Sequence, residues 1–286
     1  MTHRPRSATW DLVAERYNTD FDVYNLDLGQ ELAGLFGSLG VDPQRPIAEL
    51  GSGSGHLSGL LARAGFNVTL MDFSQASLDK AQLLFQRHGL QGTFLNRDLM
   101  ALDGSERFQL TWNSGVMEHF DDTSLLEAFQ AIHRATETHF VFLVPNPESL
   151  PYLLYRAAKA ANGSWDVGEE FLRMNYDQYL QWAGFRVEAT RYLGWGITKN
   201  FFNYFLKEDN REAVFSKLVD EGYVHERNAY LKAYICRKVE GAPAPPDPRP
   251  EDPTLGRTFH FDEMAKRLPR VRRQRPLDFL NVLRKR

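Results

Sequence analysis

Apolar residues fall into two alternating patterns along this chain. Short continuous apolar runs have the length and bounding turn residues of buried strands: "PIAEL" (46–50), "NVTLMD" (67–72), "GTFLNRD" (92–98), "FQLTWN" (108–113) and "HFVFLVP" (139–145). Between them, "HLSGLLARAG" (56–65), "SQASLDKAQLLFQRHG" (74–89) and a stretch from about Thr123 to Ala135 space their apolar residues as one face of a helix. Ser74 offers a cap for the second helix and Gly89 a stop. Strands alternating with helices predict an α/β fold, a mostly parallel sheet with helices on both faces. Right-handed crossovers narrow the topology to doubly wound forms.

The pattern loosens after Pro145. Residues 149–173 hold helical "LPYLLYRAAKAA" followed by "NGSWDVGEE". A helix, "YDQYLQWAG" (176–184), and a strand, "FRVEATRYL" (185–193), restore the regularity. A second irregular stretch, 194–229, is rich in aromatic residues, and "AYLKAYICRKV" (229–239) reads as a last strand. Six prolines in the thirteen residues of 241–253 mark a semi-extended linker. The expected organisation is a domain over 1–240, a Pro-rich linker over 241–256 and a basic amphipathic tail over 257–286.

Composition changes the picture in three places. With 286 residues and 43% hydrophobic content, the chain can bury a substantial core. The net charge of −3 gives no whole-protein case for nucleic acid, yet residues 257–286 carry +7 and the rest −10. The tail therefore reads as a separate object, a flexible connection to a partner protein or a helix that meets an anionic membrane surface. A single cysteine, Cys236, rules out an internal disulfide and argues against a cysteine-based zinc site. No clustered His, Asp and Glu have convincing metal-ligand spacing, so no metal is expected. "MTHRPRSATW" lacks the apolar stretch of a signal peptide and no run has membrane-spanning length, so the expected location is the cytoplasm.

The chemistry starts at "ELGSGSG" (49–55), where a strand ends in three alternating glycines and a helix follows. Glycine at such a junction lets a polar ligand approach the backbone without Cβ interference, and open α/β sheets bind ligands at the carboxyl ends of their strands. Asp72 ends the next strand, 21 residues after Gly51, where a carboxylate can accept the two hydroxyl protons of a ribose. The pair points to an adenosine-containing cofactor. The nicotinamide fingerprint needs glycine where this chain has His56, which disfavours an NAD-dependent oxidoreductase.

On these residues the chain resembles the class I S-adenosylmethionine-dependent methyltransferases, over roughly Trp10 to Val239. "ELGSGSG", "LMDFS", "NRDL" and "WNSGVMEHFDD" match that family's motifs in order and spacing, and "FVFLVPN" and "QWAGFRVEATRYLG" match its closing elements. The resemblance implies a seven-stranded sheet whose last strand is antiparallel, and S-adenosyl-L-methionine as cofactor. It further implies that Glu49, Gly51, Ser52, Gly53 and Gly55 cradle the methionine part, that Asp72 holds the ribose and that Phe73 lies on the adenine. Asp98 and the Leu99 backbone would meet the adenine edge, Asn113 and Ser114 would floor the methyl donor, and Tyr17 would cover the cofactor. His119 is the candidate general base, since imidazole titrates near neutral pH and a hydroxyl acceptor needs one. His56 is expected to shape the cofactor site. The irregular segments are expected to form the acceptor pocket, with Tyr152, Tyr155, Trp195 and Phe201 gripping the acceptor and 149–173 serving as a lid hinged at Gly163 and Gly168. The activity read is methyl transfer to a small molecule, sugar or lipid-linked glycan, with oxygen preferred to nitrogen. The alternative is a non-catalytic cofactor-binding or assembly protein of the same fold.

Overall fold

The computed structural model describes residues 7–21, 23–206, 210–241, 258–261 and 266. Seven strands form its main sheet: β1 (Ile47–Leu50), β2 (Val68–Asp72), β3 (Thr93–Asn96), β4 (Phe108–Ser114), β5 (Thr136–Pro145), β6 (Phe185–Leu193) and β7 (Leu231–Lys238). Their spatial order is β3-β2-β1-β4-β5-β7-β6. β7 runs antiparallel to both of its neighbours, and the other pairings are parallel. The sheet order reverses between β1 and β4, which opens a crevice at the carboxyl end of β1.

Burial on both faces explains the apolar runs of β1, β2, β4 and β5, while β3 lies at the sheet edge and is only partly covered. On β5, Phe140, Phe142 and Val144 face one core with helices α5 (Asp122–Ala135) and α7 (Asp177–Trp182), while Val141 and Leu143 face the other. The second core is covered by α2 (Val23–Ser38), α3 (His56–Arg63) and α4 (Gln75–Arg87). Leu28, Leu32 and Phe36 repeat every fourth residue on the buried side of α2. That periodicity is present in the sequence, but the expected elements include no helix there. Before it, α1 (Ser7–Ala14) packs on α4.

β5 starts at Thr136, three residues earlier than the apolar run suggests. The buried Thr136 hydroxyl donates to the Ile132 carbonyl and meets Thr111 Oγ1 at 2.6 Å. One side chain thus ends α5 and begins the strand with no loop between.

The two irregular stretches contain regular pieces. The first holds α6 (Leu150–Ala161), and the second holds α8 (Trp195–Asn203) and α9 (Arg211–Asp220). Leu172 and Arg173 form an antiparallel ribbon with Phe259 and Thr258. The stretch expected as a separate tail thus begins with residues that return to the domain. Most of the linker and the amphipathic 267–286 lie outside the described residues. Among the described residues no helix is long and apolar enough to cross a membrane, and Cys236 is buried in β7.

Gly55 tests how tightly the crevice is built. Its φ is +70°, and a Cβ there would stand 2.7 Å from Ala81 Cβ and 2.8 Å from Leu70 Cδ2. Gly55→Ala should lower stability by about 2–4 kcal/mol through strain and overpacking, read as a lower urea midpoint at unchanged slope.

Candidate cofactor and acceptor site

The glycine loop is pinned to the end of β2. Gly51 and Ser52 N–H both donate to the Met71 carbonyl, at 2.8 and 3.0 Å. Gly53 N–H donates to Asp72 Oδ2 at 2.9 Å, and Ser74 N–H to Asp72 Oδ1 at 2.8 Å. Each Asp72 oxygen is thereby aimed by one backbone donor. Burial pushes the Asp72 carboxyl upward, against the pull of these two donors. Gly51, Gly53 and Gly55 all have positive φ, but they serve different ends. A Cβ on Gly51 would strike Val116, and one on Gly53 would meet the Tyr17 hydroxyl at 3.1 Å, both at the crevice. Gly55 instead admits α4 and β2, so it packs the helix and does not touch the ligand space.

A cavity of about 230 Å³ fills the crevice. Glu49, Gly51, Ser52, Gly53, Asp72, Phe73, Asp98, Leu99 and Ser114 line it, together with Tyr17 and His119. Asp98 is oriented by the Met100 N–H at 2.9 Å. Asn113 is fully buried at the end of β4 and does not line the cavity. Trp10, Asn25, Arg97 and Val116 also line it and escaped the sequence reading. Trp10 and Asn25 reach it from α1 and α2, whose distance from the glycine loop along the chain carries no local signal. Arg97 had a signal, since it sits inside "NRDL".

His56 fastens the N-terminal segment over the loop. Its Nε2 lies 3.0 Å from the Asp20 carbonyl and 3.2 Å from Asn18 Oδ1, and its Nδ1 contacts Ser54. This places Tyr17 against Gly53 and near Asp72. Burial, then the Asp72 carboxylate, pushes the Tyr17 phenol up to about 12, so it stays neutral and can donate. Glu49 is buried beside Ser58, whose hydroxyl donates to it at 2.5 Å. Burial raises its carboxyl to about 8 despite that bond.

His119 stands at the opposite wall, on the short turn Met117–His119 after β4. Its Nδ1 is 2.7 Å from the Glu169 carbonyl. A carbonyl only accepts, so Nδ1 carries the proton and Nε2 is the ring's acceptor. Trp10 meets the imidazole edge-on at 5.1 Å, and Gly168 lies against Nδ1. The neighbouring acids have structural partners: Asp121 caps α5 through Ser124 N–H, and Asp122 pairs with Arg173. Among the described residues no His, Cys, Asp and Glu group could hold a metal ion.

The expected acceptor residues sit elsewhere. Tyr152 is buried with its hydroxyl on Glu170 at 2.7 Å. Tyr155 packs on Phe201 at 4.9 Å, and Trp195 on Phe215 at 5.8 Å. None of Tyr152, Tyr155, Trp195 and Phe201 lines the cavity. Tyr152 and Phe201 belong to a satellite core in which Tyr155 also packs, since aromatic surface in a long insertion is needed to hold the insertion together.

Residues 47–139 match a family model described as a methyltransferase domain. The fold built around those residues is the class I methyltransferase fold. Its fold is similar to that of magnesium protoporphyrin IX methyltransferase from Synechocystis PCC 6803 solved with bound SAH, at 16% identity and a TM-score of 0.54, covering 81% of this chain and 93% of that one. It is also similar to a structure from work on conversion of a disulfide bond into a thioacetal group during echinomycin biosynthesis (17% identity, TM-score 0.53, 82% and 94% covered). A third likeness is to an S-adenosylmethionine-dependent methyltransferase from Clostridium acetobutylicum ATCC 824 (12% identity, TM-score 0.50, 80% and 96% covered). At such identities the likeness is one of fold. No curated protein matches the sequence.

The methyltransferase domain's cofactor is S-adenosylmethionine, and this crevice fits it. Ser52 Oγ is buried in the lining with no hydrogen-bond partner among the described residues, and at Gly51 and Gly53 the backbone lines the crevice without a Cβ, which Val116 and Tyr17 leave no room for. Asp72 would hold the ribose hydroxyls, Glu49 the ammonium, and Phe73 with Asp98 the adenine.

Asp72→Asn should weaken S-adenosylhomocysteine binding by about 1–3 kcal/mol in calorimetric titration, from the loss of charged hydrogen bonds. Glu49 must ionise to meet an ammonium, so affinity should rise by up to about tenfold per pH unit from about pH 6 to about pH 8 and then flatten. Proton release, read as a buffer-dependent binding enthalpy, should accompany it and vanish in Glu49→Gln.

Proposed function

We propose that this chain transfers the methyl group of S-adenosylmethionine to a hydroxyl oxygen of a small-molecule, sugar or lipid-linked glycan acceptor, with His119 as general base. The observation that carries the reading is the Glu169 carbonyl on Nδ1, which accepts that nitrogen's hydrogen bond and leaves the basic lone pair of the neutral ring on Nε2, in a residue that lines the cavity. When bound, the cofactor supplies an electrophilic methyl carbon.

The chain's own residues do the rest. Asp72, Glu49 and the glycine loop fix the donor, so that an acceptor oxygen aligned with it meets a near-attack geometry. As that oxygen attacks, its proton moves to His119 Nε2. The imidazolium then carries protons on both nitrogens, and Nδ1 keeps its bond to the Glu169 carbonyl. Trp10, Tyr17 and the insertion around Gly168 cover the site and keep water from competing. A lid role for 149–173 is part of this reading. It is supported by the exposed ion pair of Arg16 with Asp166 at 2.5 Å, which joins the insertion to the N-terminal cover. An exposed pair of this kind is worth about 0–1 kcal/mol, weak enough to open on each turnover.

His119→Gln should cut turnover by about 10²–10⁴-fold while leaving S-adenosylhomocysteine affinity nearly unchanged. Formation of S-adenosylhomocysteine from S-adenosylmethionine over a panel of phenols, sugars and glycolipids measures it, and unchanged turnover would remove His119 as the base. Proteolysis between 163 and 173 should slow when S-adenosylhomocysteine and acceptor are both present. Equal cleavage with and without them sinks the lid.

A further inference from the structure

Residues 258–261 come back to the domain from beyond the proline-rich stretch and close on the insertion that holds His119. Thr258 and Phe259 pair with Arg173 and Leu172. His260 meets Phe171 edge-on at 5.0 Å, and Phe261 is buried. The Phe261 ring lies 4.9 Å from the Arg156 guanidinium, which also stacks on Trp165 at 4.0 Å.

Arg156 has no exposed surface, so its charge depends wholly on protein partners. Its Nε donates to Glu170 Oε2 at 2.8 Å, the same oxygen that takes the Tyr152 hydroxyl. Trp165 and Phe261 give the guanidinium aromatic faces in place of water. The backbone around Glu169 is then held at three points. The Glu170 carboxylate is on Arg156 and Tyr152, the Phe171 N–H donates to the Glu118 carbonyl at 2.7 Å, and Leu172 and Arg173 are in the ribbon. What this frame presents to the cavity wall is the Glu169 carbonyl, the acceptor for His119 Nδ1–H.

We infer that residues 258–261 are a positioning element of the site: through Phe261 on Arg156 and the ribbon with Leu172–Arg173, they fix the Glu169 carbonyl and so the tautomer and direction of His119. Phe261, Arg156 and Glu170 are positioning residues, and none of them lines the cavity. A two-residue ribbon is too short to dock alone, so the buried ring of Phe261 is the part that holds it. Removing the ring lets water reach the guanidinium, which loosens the Arg156–Glu170 bond and frees the backbone that carries the Glu169 carbonyl. The catalytic meaning of this device rests on the reading of His119 as base. The hydrogen bond itself does not.

The experiment is nitrogen NMR of histidine-labelled full-length protein bound to S-adenosylhomocysteine, with the His119 signal identified by its loss in His119→Gln. The variants are Phe261→Ala, Phe261→Leu and Phe261→Tyr. In the wild type and Phe261→Tyr, His119 should be the Nδ1–H tautomer. In Phe261→Ala and Phe261→Leu the other tautomer should become populated, and amides 169–173 should exchange with solvent at least about tenfold faster. S-adenosylhomocysteine affinity should stay within about twofold, because the cofactor half of the cavity is untouched. Phe261→Leu keeps the apolar bulk and reads the ring alone if Phe261→Ala does not fold. An unchanged His119 signal and unchanged exchange at 169–173 in Phe261→Leu would overturn the inference. So would an equal loss of cofactor affinity, which would mark Phe261 as general packing. If the His119 signal responds as expected but His119→Gln transfers methyl groups normally, the positioning stands and the base reading falls.

Discussion

The bond from Gly53 N–H to the Asp72 carboxylate joins the loop after β1 to the end of β2, and one wall of the cavity is built around it. The loop's two preceding N–H groups are already committed to the Met71 carbonyl. Gly53 can therefore reach Asp72 only in a backbone conformation with positive φ, which glycine takes without penalty. With both oxygens aimed by backbone donors, Asp72 keeps lone pairs for hydroxyl donors in the cavity. A carboxylate in so buried a place is costly, and its raised carboxyl records that cost. Stability at this junction has been exchanged for a preorganised acceptor.

The wall around His119 is organised by a different means. There the cavity wall is a histidine whose direction comes from a backbone carbonyl in an insertion, and the insertion is held by buried charge. Glu170, Arg156 and Arg173 are buried, as is Glu118. Burial first, and then Glu170, pushes the Glu118 carboxyl well above the usual carboxylate range. Buried ion pairs add little net stability compared with apolar packing, but they tolerate only one arrangement of their partners. That is what an imidazole held at a fixed angle requires. The aromatic residues Tyr152, Tyr155 and Phe201 contribute packing beneath the insertion.

Most of the sheet was legible because its strands are buried on both faces and therefore read as unbroken apolar runs, as "HFVFLVP" does. The β6 boundaries follow directly from "FRVEATRYL". β5 was harder, since Thr136 joins helix to strand through a buried hydroxyl and no turn residue marks the change. The cavity-lining residues were legible where local backbone geometry constrains neighbouring positions, as it does at Gly51, Gly53 and Asp72. Gly55 carries the same residue type for a packing reason, which spacing alone could not distinguish. Trp10 and Asn25 were not legible, because they reach the cavity only after α1 and α2 dock on the helices of the second core.

By itself the sequence determined the α/β alternation, the glycine junction and the acid that answers it, since each depends on residues close in the chain and on backbone stereochemistry. Tertiary structure alone decided which aromatic residues become core, which nitrogen of His119 carries the proton and that residues 258–261 return to the insertion. The physical reason is separation along the chain. Glu169 lies 50 residues from His119, and Phe261 is more distant still from Arg156. No local propensity can record a contact whose two halves are brought together only when the whole domain has folded.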